Sequence, residues 1–339
     1  MKIQTCLLCE TAQPAIDDHV LILNSAQDPF VKMAGQQIPR GKLLLAEDNI
    51  AALAQYEQSR EHNSPGAYRH IPFHEYTLHE APATVDVVAM NILYQPGNTW
   101  INYGLQVAMY ALKHGGHLYV TGAKDRGILS VAKRMQEYFG NVETLTISKG
   151  QRVVRSRKDE TLIDAAAQFV APLVSSFADG NLDEGTRILL EALEVHTTDV
   201  ALDIGCGAGF IGLYIARLAG KGQVTMVDAS LTAVDAARHR VEQSGLTNVQ
   251  ILASDGTQAV QSQRFDLVVT NPPFHLGGVQ TTATAERFIR EAAQVLRSRG
   301  RFYLVANRFL KYEPALRACF KTVEEVAGDK RYKVLRGLI

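Results

Sequence analysis

Charge of one sign is the first thing this sequence lacks. Its 339 residues carry 35 lysines and arginines against 35 aspartates and glutamates, a formal net charge of zero. A globally basic nucleic-acid binder is therefore excluded, and any polyanion would have to meet local patches. Cysteine is scarce and scattered, at positions 6, 9, 206 and 319. That spacing offers no disulfide framework, and the Cys6–Cys9 CxxC lacks the second pair a structural zinc site needs. The expectation is a reduced, cytoplasmic protein without metal, its cysteines serving as small apolar fillers. No apolar run approaches the length of a bilayer span, and the opening MKIQTCLLCETAQPAID has neither a secretory nor a transit pattern, so no membrane partner is expected. Low-complexity tracts are missing too. With 46% hydrophobic residues, the composition is that of an ordinary globular chain long enough for two domains.

What is present is a repeat. With residue n set beside n+180, VLILNSAQDPF (20–30) lies over VALDIGCGAGF (200–210), KLLLAEDN (42–49) over GQVTMVDA (222–229), and VDVVAMNILY (85–94) over FDLVVTNPPF (265–274). GHLYVTG (116–122) meets GRFYLVA (300–306) after a four-residue adjustment. Apolar strands alone would match by chance, but the polar punctuation coincides as well: Asp48 with Asp228, Asp86 with Asp266, Asn91 with Asn271. Two tandem α/β domains of one Rossmann-like design are expected, over residues 1–155 and 156–339. In the second, strands at 199–204, 223–228, 249–253, 265–270 and 301–307 alternate with helices at 210–219, 231–244, 281–296 and 312–319, and 330–337 adds a last strand. Such alternation predicts a mostly parallel sheet with helices on both faces. KGQRVVRSRKDE (149–160) reads as a basic linker leading to a helical stretch that ends near Ser175. Its Arg152, Arg155 and Arg157 alternate as on one face of a strand, available to position RNA.

The copies differ where chemistry would sit. Gly205, Gly207 and Gly209 face Ser25, Gln27 and Pro29, and Pro272 and Pro273 face Ile92 and Leu93. The first copy is expected to be degenerate, with no cofactor site, and to help recognise RNA or support folding of the second.

In the second copy, VALDIGCGAGF places Asp203 at a strand end and then glycines at alternate positions leading into a helix, as a tight turn with close ligand approach requires. The spacing GxGxG is not that of a dinucleotide fingerprint. Asp228 ends the next strand, placed to accept hydrogen bonds from both hydroxyls of a ribose, and Asp255 follows the third strand, suited to an exocyclic adenine amine. Each acid taken alone reads as a turn residue, a helix cap or a loop former. Three carboxylates at neighbouring strand ends, however, repel phosphates and suit a cation, which favours S-adenosylmethionine over NAD or ATP.

The order LDIGCGAG, VDAS, SDG, TNPPF resembles the class I S-adenosylmethionine-dependent methyltransferases whose NPP[FY] loop methylates a planar amino group. FADGNLDEGTRILLEAL (177–193), NPPFHLGGVQTTATAERFIREAAQVL, VANRFLKYEPALRACF and the worn copy in front are similar to the ribosomal RNA small subunit methyltransferase C group and the large-subunit methyltransferase G group. The resemblance covers nearly all of the second half and, weakly, the first. It implies a seven-stranded sheet, guanine-N2 methylation of ribosomal RNA (16S first) and ribosomal RNA or a ribosomal subunit as partner. It also implies donor binding by Asp203, Gly205, Gly207, Gly209, Asp228, Asp255, Asn271 and Thr186, and a target-base site at Asn271, Pro272, Pro273 and Phe274. The two glycines after His275 depart from the group's pattern, which leaves the length of the loop over the base open.

The residues explain why such a loop is useful. Two prolines can continue neither a ladder nor a helix, so the strand must stop at Asn271. The amide oxygen of Asn271 and the carbonyl of Pro272 can each accept one N–H of an exocyclic amine, localising its lone pair, while Phe274 stacks on an extruded base. His275 reads equally well as a packed loop histidine and is left out of the catalytic set. Arg308 and Lys311 are candidates for phosphate contact. N6 of adenine and the glutamine side chain of a protein remain alternative acceptors, and a non-catalytic binding scaffold is a third, more distant reading.

Overall fold

The computed structural model describes residues 2–59, 68–160, 182–273, 275–276, 279–280 and 282–339. The chain divides into two units, Met1–Leu173 and Val174–Ile339. In the first, β1 (His19–Leu23), β2 (Lys42–Glu47), β3 (Tyr68–Pro72), β4 (Val85–Asn91), β5 (Leu112–Ala123), β6 (Glu143–Ser148) and β7 (Gln151–Arg157) form a seven-stranded sheet in the order β3-β2-β1-β4-β5-β7-β6. In the second, β8 (Val200–Ile204), β9 (Gln223–Asp228), β10 (Val249–Ala253) and β11 (Phe265–Thr270) come first. The two-residue strands β12 (His275–Leu276) and β13 (Val279–Gln280) pair only with each other, and β14 (Leu296–Asn307), β15 (Thr322–Gly328) and β16 (Tyr332–Leu338) follow. The second sheet is ordered β10-β9-β8-β11-β14-β16-β15, the same permutation as the first. In both, six strands run the same way and one, β7 in the first and β16 in the second, runs antiparallel between its two neighbours. The expected doubly wound, duplicated α/β architecture is what the chain adopts.

Successive side chains of a strand point to opposite faces, so the near-continuous apolar runs of β8, β11 and β14 bury the second sheet on both. Leu202, Ile204, Val268, Phe302 and Leu304 pack on one side with Phe288 and Ile289 of the helix Ala283–Val295. Ala201, Leu267, Val269 and Tyr303 pack on the other with Leu189 and Ile211. Cys206 belongs to that second cluster and Cys9 packs on the first unit's core, both as apolar filler. The helix Leu231–Ser244 starts where Ser230 accepts a hydrogen bond from Ala233 N at 3.1 Å, and stops at Gly245 with φ 68°. Among the described residues no helix is long and apolar enough to cross a membrane.

The duplication extends to details. Asp86 accepts from His19 N at 2.9 Å and pairs with Lys113 at 2.8 Å; Asp266 accepts from Val200 N at 3.0 Å and pairs with Arg297 at 2.7 Å. The register of the first two strands, though, is n+181 and not n+180. Asn24 N reaches Ala46 O at 2.7 Å just as Gly205 N reaches Val227 O at 2.8 Å, so the counterparts of Asp203, Gly205, Gly207 and Asp228 are Ile22, Asn24, Ala26 and Glu47.

Three further readings change. Residues 149–160 are no linker: β7 lies between β5 and β6 and runs to Arg157, past the boundary expected at 155. Arg152 and Arg155 fall on opposite faces of that strand, because an odd separation reverses the side chain, and Arg155 pairs with Glu143 at 2.8 Å. Strand β15 was not expected. The helical stretch placed before Ser175 lies outside the described residues.

Candidate active site

In the second unit the chain order reverses between β8 and β11, and ligands of open α/β sheets bind beyond the carboxyl ends of the strands at such a point. The loop leaving β8 there depends on glycine: φ is 71° at Gly205, 53° at Gly207 and 84° at Gly209, angles that side-chain-bearing residues rarely adopt. Gly209 then opens the helix Phe210–Leu218. Asp203, at the end of β8, is fully buried. Its Oδ2 accepts from Gly212 N at 2.9 Å and its Oδ1 has no hydrogen-bond partner. Burial, followed by the charge of Asp228, pushes this carboxyl up to about 7. Asp228, ending β9, accepts from Gly207 N and Ser230 N, both at 2.9 Å, which locks the glycine loop to the next strand. Asp255, beyond β10, is held by Arg287 of the helix Ala283–Val295, which also reaches Glu291 at 3.1 Å; Glu291 in turn accepts from Thr257 N at 2.9 Å. The three acids stand at the ends of three adjacent strands, as expected.

Asn271 follows β11 directly, and Thr270 anchors that strand end by donating to Ile204 O at 2.8 Å. Asn271 Nδ2 lies 2.9 Å from Thr186 Oγ1 and 3.3 Å from Asp183 Oδ2. Asp183 caps the helix Glu184–Ala192, accepting from Thr186 N at 2.9 Å. A cleft of about 380 Å³ opens beside these groups, walled by Asp183, Asn271, Pro272, Pro273, Asn307 and Tyr312. The Tyr312 hydroxyl is buried without a hydrogen-bond partner, and burial raises its pKa.

The structure thus brings Asn271, Pro272 and Pro273 to one edge of a cleft and Asp203, the glycine loop and Asp228 to the neighbouring strand ends. Phe274 lies outside the described residues. Thr186 touches Asn271. Of the cations expected to meet phosphate, Arg308 is engaged within the chain, donating to Asp329 O at 2.8 Å and to Glu325 at 2.9 Å. Asp183, Arg287 and Tyr312 were not singled out from the sequence. Only Asp183 carried a local sign, as the cap residue of an Asp-x-x-Thr helix start.

The same corner of the first unit is organised differently. Ile22 stands where Asp203 does, and Asn24 adopts φ 45°. Glu47 accepts from Ala26 N at 2.8 Å and is pushed up to about 7 by burial. Gln95 Nε2 donates to Asn24 O at 3.0 Å and Leu23 O at 3.2 Å, and Asn91 donates to Asp28 at 2.6 Å.

Comparison with known proteins places this arrangement. A family model described as the methyltransferase small domain matches residues 169–336. The ribosomal RNA small subunit methyltransferase C of Shewanella loihica is 32% identical over 76% of this chain and 78% of its own. That of Hahella chejuensis is 30% identical over 92% and 98%. Among solved structures, the T. thermophilus 16S rRNA N2 G1207 methyltransferase (RsmC) in complex with AdoMet and guanosine superposes with a TM-score of 0.81 at 26% identity, covering 99% of this chain and 92% of that one. With the fold duplicated in the same way and the relatives matched over more than two thirds of their length, the chain belongs to the ribosomal RNA small subunit methyltransferase C family.

Proposed function

We propose that the second unit transfers a methyl group from S-adenosylmethionine to the exocyclic N2 amine of a guanine in ribosomal RNA, that of the small subunit, and that the first unit binds no donor. The observation that carries this reading is the adjacency, at one switch point, of a cation-accepting corner and an acceptor-lined cleft.

The residues fit the donor on their own chemistry. A buried carboxylate oxygen with no partner is unfavourable unless a cationic or N–H-bearing ligand satisfies it, and Asp203 Oδ1 is such an atom. The positive-φ glycines leave the backbone open to close approach, and Asp228, fixed by two amides at the end of the neighbouring strand, is the carboxylate that meets the ribose hydroxyls. Asp255, steadied by Arg287, is placed for an adenine amine. When bound, S-adenosylmethionine supplies an electrophilic methyl group on a cationic sulfur.

At the other end, a guanine amine is a weak nucleophile because its lone pair is delocalised into the ring. Asn271 Oδ1 and the Pro272 carbonyl accept its two hydrogens and favour the localised pair. The prolines hold that carbonyl in place beforehand, so no reorganisation is needed at the moment of transfer. Phe274 stacks on the base once it has left its helix, a contact worth roughly 1–3 kcal/mol. The proton shed by the methylated nitrogen is acidic enough to pass to water, and no strong base is assigned. In the first unit, Ile22 removes the carboxylate that would meet the cation, while Gln95 occupies the strand-end carbonyls.

Labelled donor, purified protein and ribosomal RNA, followed by nucleoside analysis, test the reading. N2-methylguanosine is expected. Label in N6-methyladenosine or in protein glutamine would replace the acceptor, and label bound without transfer would reduce the protein to a scaffold.

A further inference from the structure

A side-chain amide presents two nearly isosteric ends of opposite polarity, so an asparagine can meet a target amine with an acceptor or with a useless donor, and only its partners decide which. Around Asn271 those partners leave one answer. Asp183 is a carboxylate, an acceptor only. Thr186 Oγ1 lies 2.5 Å from Asp183 Oδ2, so the hydroxyl's one hydrogen is directed to the carboxylate and toward Asn271 it can only accept. The asparagine nitrogen lies 2.9 Å from that hydroxyl and 3.3 Å from Asp183 Oδ2, so its two hydrogens are spent on these acceptors. The carboxylate cannot turn away, because its other oxygen accepts from Thr186 N at 2.9 Å and caps the helix Glu184–Ala192.

We infer that Asp183 and Thr186 are positioning residues that set the polarity of the Asn271 amide, forcing Oδ1 to be the atom offered to the target amine. This rests on the reading of Asn271 as an acceptor for that amine. The arrangement works as a relay of single hydrogens: helix amide to carboxylate, hydroxyl to carboxylate, asparagine nitrogen to hydroxyl. Reversing the polarity of its first member should reverse the last.

D183N does that without disturbing the helix start, since asparagine caps helices as well as aspartate. The introduced amide oxygen still accepts from Thr186 N, but its NH2 now donates to Thr186 Oγ1. The hydroxyl hydrogen must then turn toward Asn271, which rotates to accept it and presents NH2 to the target. The expected result is a fall in kcat of at least tenfold, with donor Kd and Tm unchanged. T186V, which removes the relaying hydroxyl, should lower kcat in the same way, while T186S should retain activity. The sharpest arm is a change of sign: in an N271D protein, where a carboxylate faces Asp183, the D183N change should raise kcat, because one oxygen of the new carboxylate takes the hydroxyl hydrogen and the other still accepts from the target. D183N turning over at the wild-type rate, or lowering kcat equally on both backgrounds, overturns the inference. An N271A protein with normal kcat would instead remove the reading of Asn271 beneath it, so the two failures are separable.

Discussion

Replacing Asp203 by asparagine separates what the site takes from folding stability from what it gives to the donor. The carboxyl is fully buried, has a single hydrogen bond, from Gly212 N at 2.9 Å, and is pushed up to about 7 from an ordinary value near 3.8, first by burial and then by Asp228. Between those two values the folded protein holds a proton that the unfolded chain has lost. The native state therefore binds more protons, and stability must fall as pH rises through the interval and level off above about 7. At about 1.36 kcal/mol per unit, the fall attributable to this one group between pH 5 and pH 8 is roughly 2–3 kcal/mol. Glu47 is buried in the first unit and also pushed up to about 7, but it is common to both proteins and cancels in the difference. Urea unfolding of wild type and D203N at four pH values in that window, without donor, gives the difference directly: the wild type should lose stability relative to the variant by that amount. Donor binding should show the opposite face of the same titration. A cationic ligand needs the ionised carboxylate, so wild-type affinity should rise roughly tenfold per pH unit up to about 7, while D203N binds weakly with little slope. Parallel stability curves, or a donor Kd in D203N that matches the wild type at pH 7.5, would refute the assignment of Asp203 to the cationic end.

Three other substitutions probe separate parts of the site. G212A puts a Cβ within 2.5 Å of Met226 Cε and 2.6 Å of its Cγ, so the usual helix gain of alanine should be outweighed and thermal unfolding should show a loss of about 1–3 kcal/mol. P272A keeps the carbonyl and loses the ring that aims it, and should lower kcat roughly tenfold with donor Kd unchanged, as read in single-turnover transfer to ribosomal RNA. R287A frees the Asp255 carboxylate from its partner and should raise the KM for donor several-fold while leaving kcat alone; an unchanged KM would detach Asp255 from donor binding.

Strand placement in the second unit was legible because its apolar runs are long and sharply punctuated, and β9, β10 and β11 fall where the pattern puts them. The register of the repeat was not. A shift of one residue normally exposes itself by sending apolar side chains to a solvated face. Here β1 and β8 are buried on both faces, so their sequences carry no alternation to resist the shift, and the coincidence of Asp48 with Asp228 favoured the wrong offset. Strand β15 escaped for the reverse reason: TVEEVAG lies at the sheet edge with most of its residues partly or fully exposed, and charged edges that discourage pairing with other chains read as loops. Strand β7 read as a linker because its arginines were counted as a patch when at least one of them, Arg155, is matched by an acid on β6. Asp183 and Arg287 could not have been joined to Asn271 and Asp255 from local pattern, since 88 and 32 residues separate the members of each pair.

The two copies together isolate what makes such a corner a site. Both hold the loop after the first strand to the second by a carboxylate: Asp228 accepts from Gly207 N at 2.9 Å, and Glu47 accepts from Ala26 N at 2.8 Å. Retention of that bond shows that it serves the fold, and it cannot be what distinguishes a catalytic copy. The difference lies in polar atoms left over. In the second unit Asp203 Oδ1 has no partner; in the first, Ile22 takes its place, and the amide nitrogen of Gln95 closes on the backbone carbonyls of Leu23 and Asn24. A buried carboxylate with one oxygen unpartnered costs roughly 4 kcal/mol near neutral pH when its pKa is raised this far, and a fold that binds no cation would gain by removing it. On that reasoning the first unit should be insensitive to added donor in hydrogen exchange at Leu23–Ala26, while Gly205–Gly209 should gain protection. Equal protection of both loops would mean that the side chains filling the first corner do not exclude the ligand.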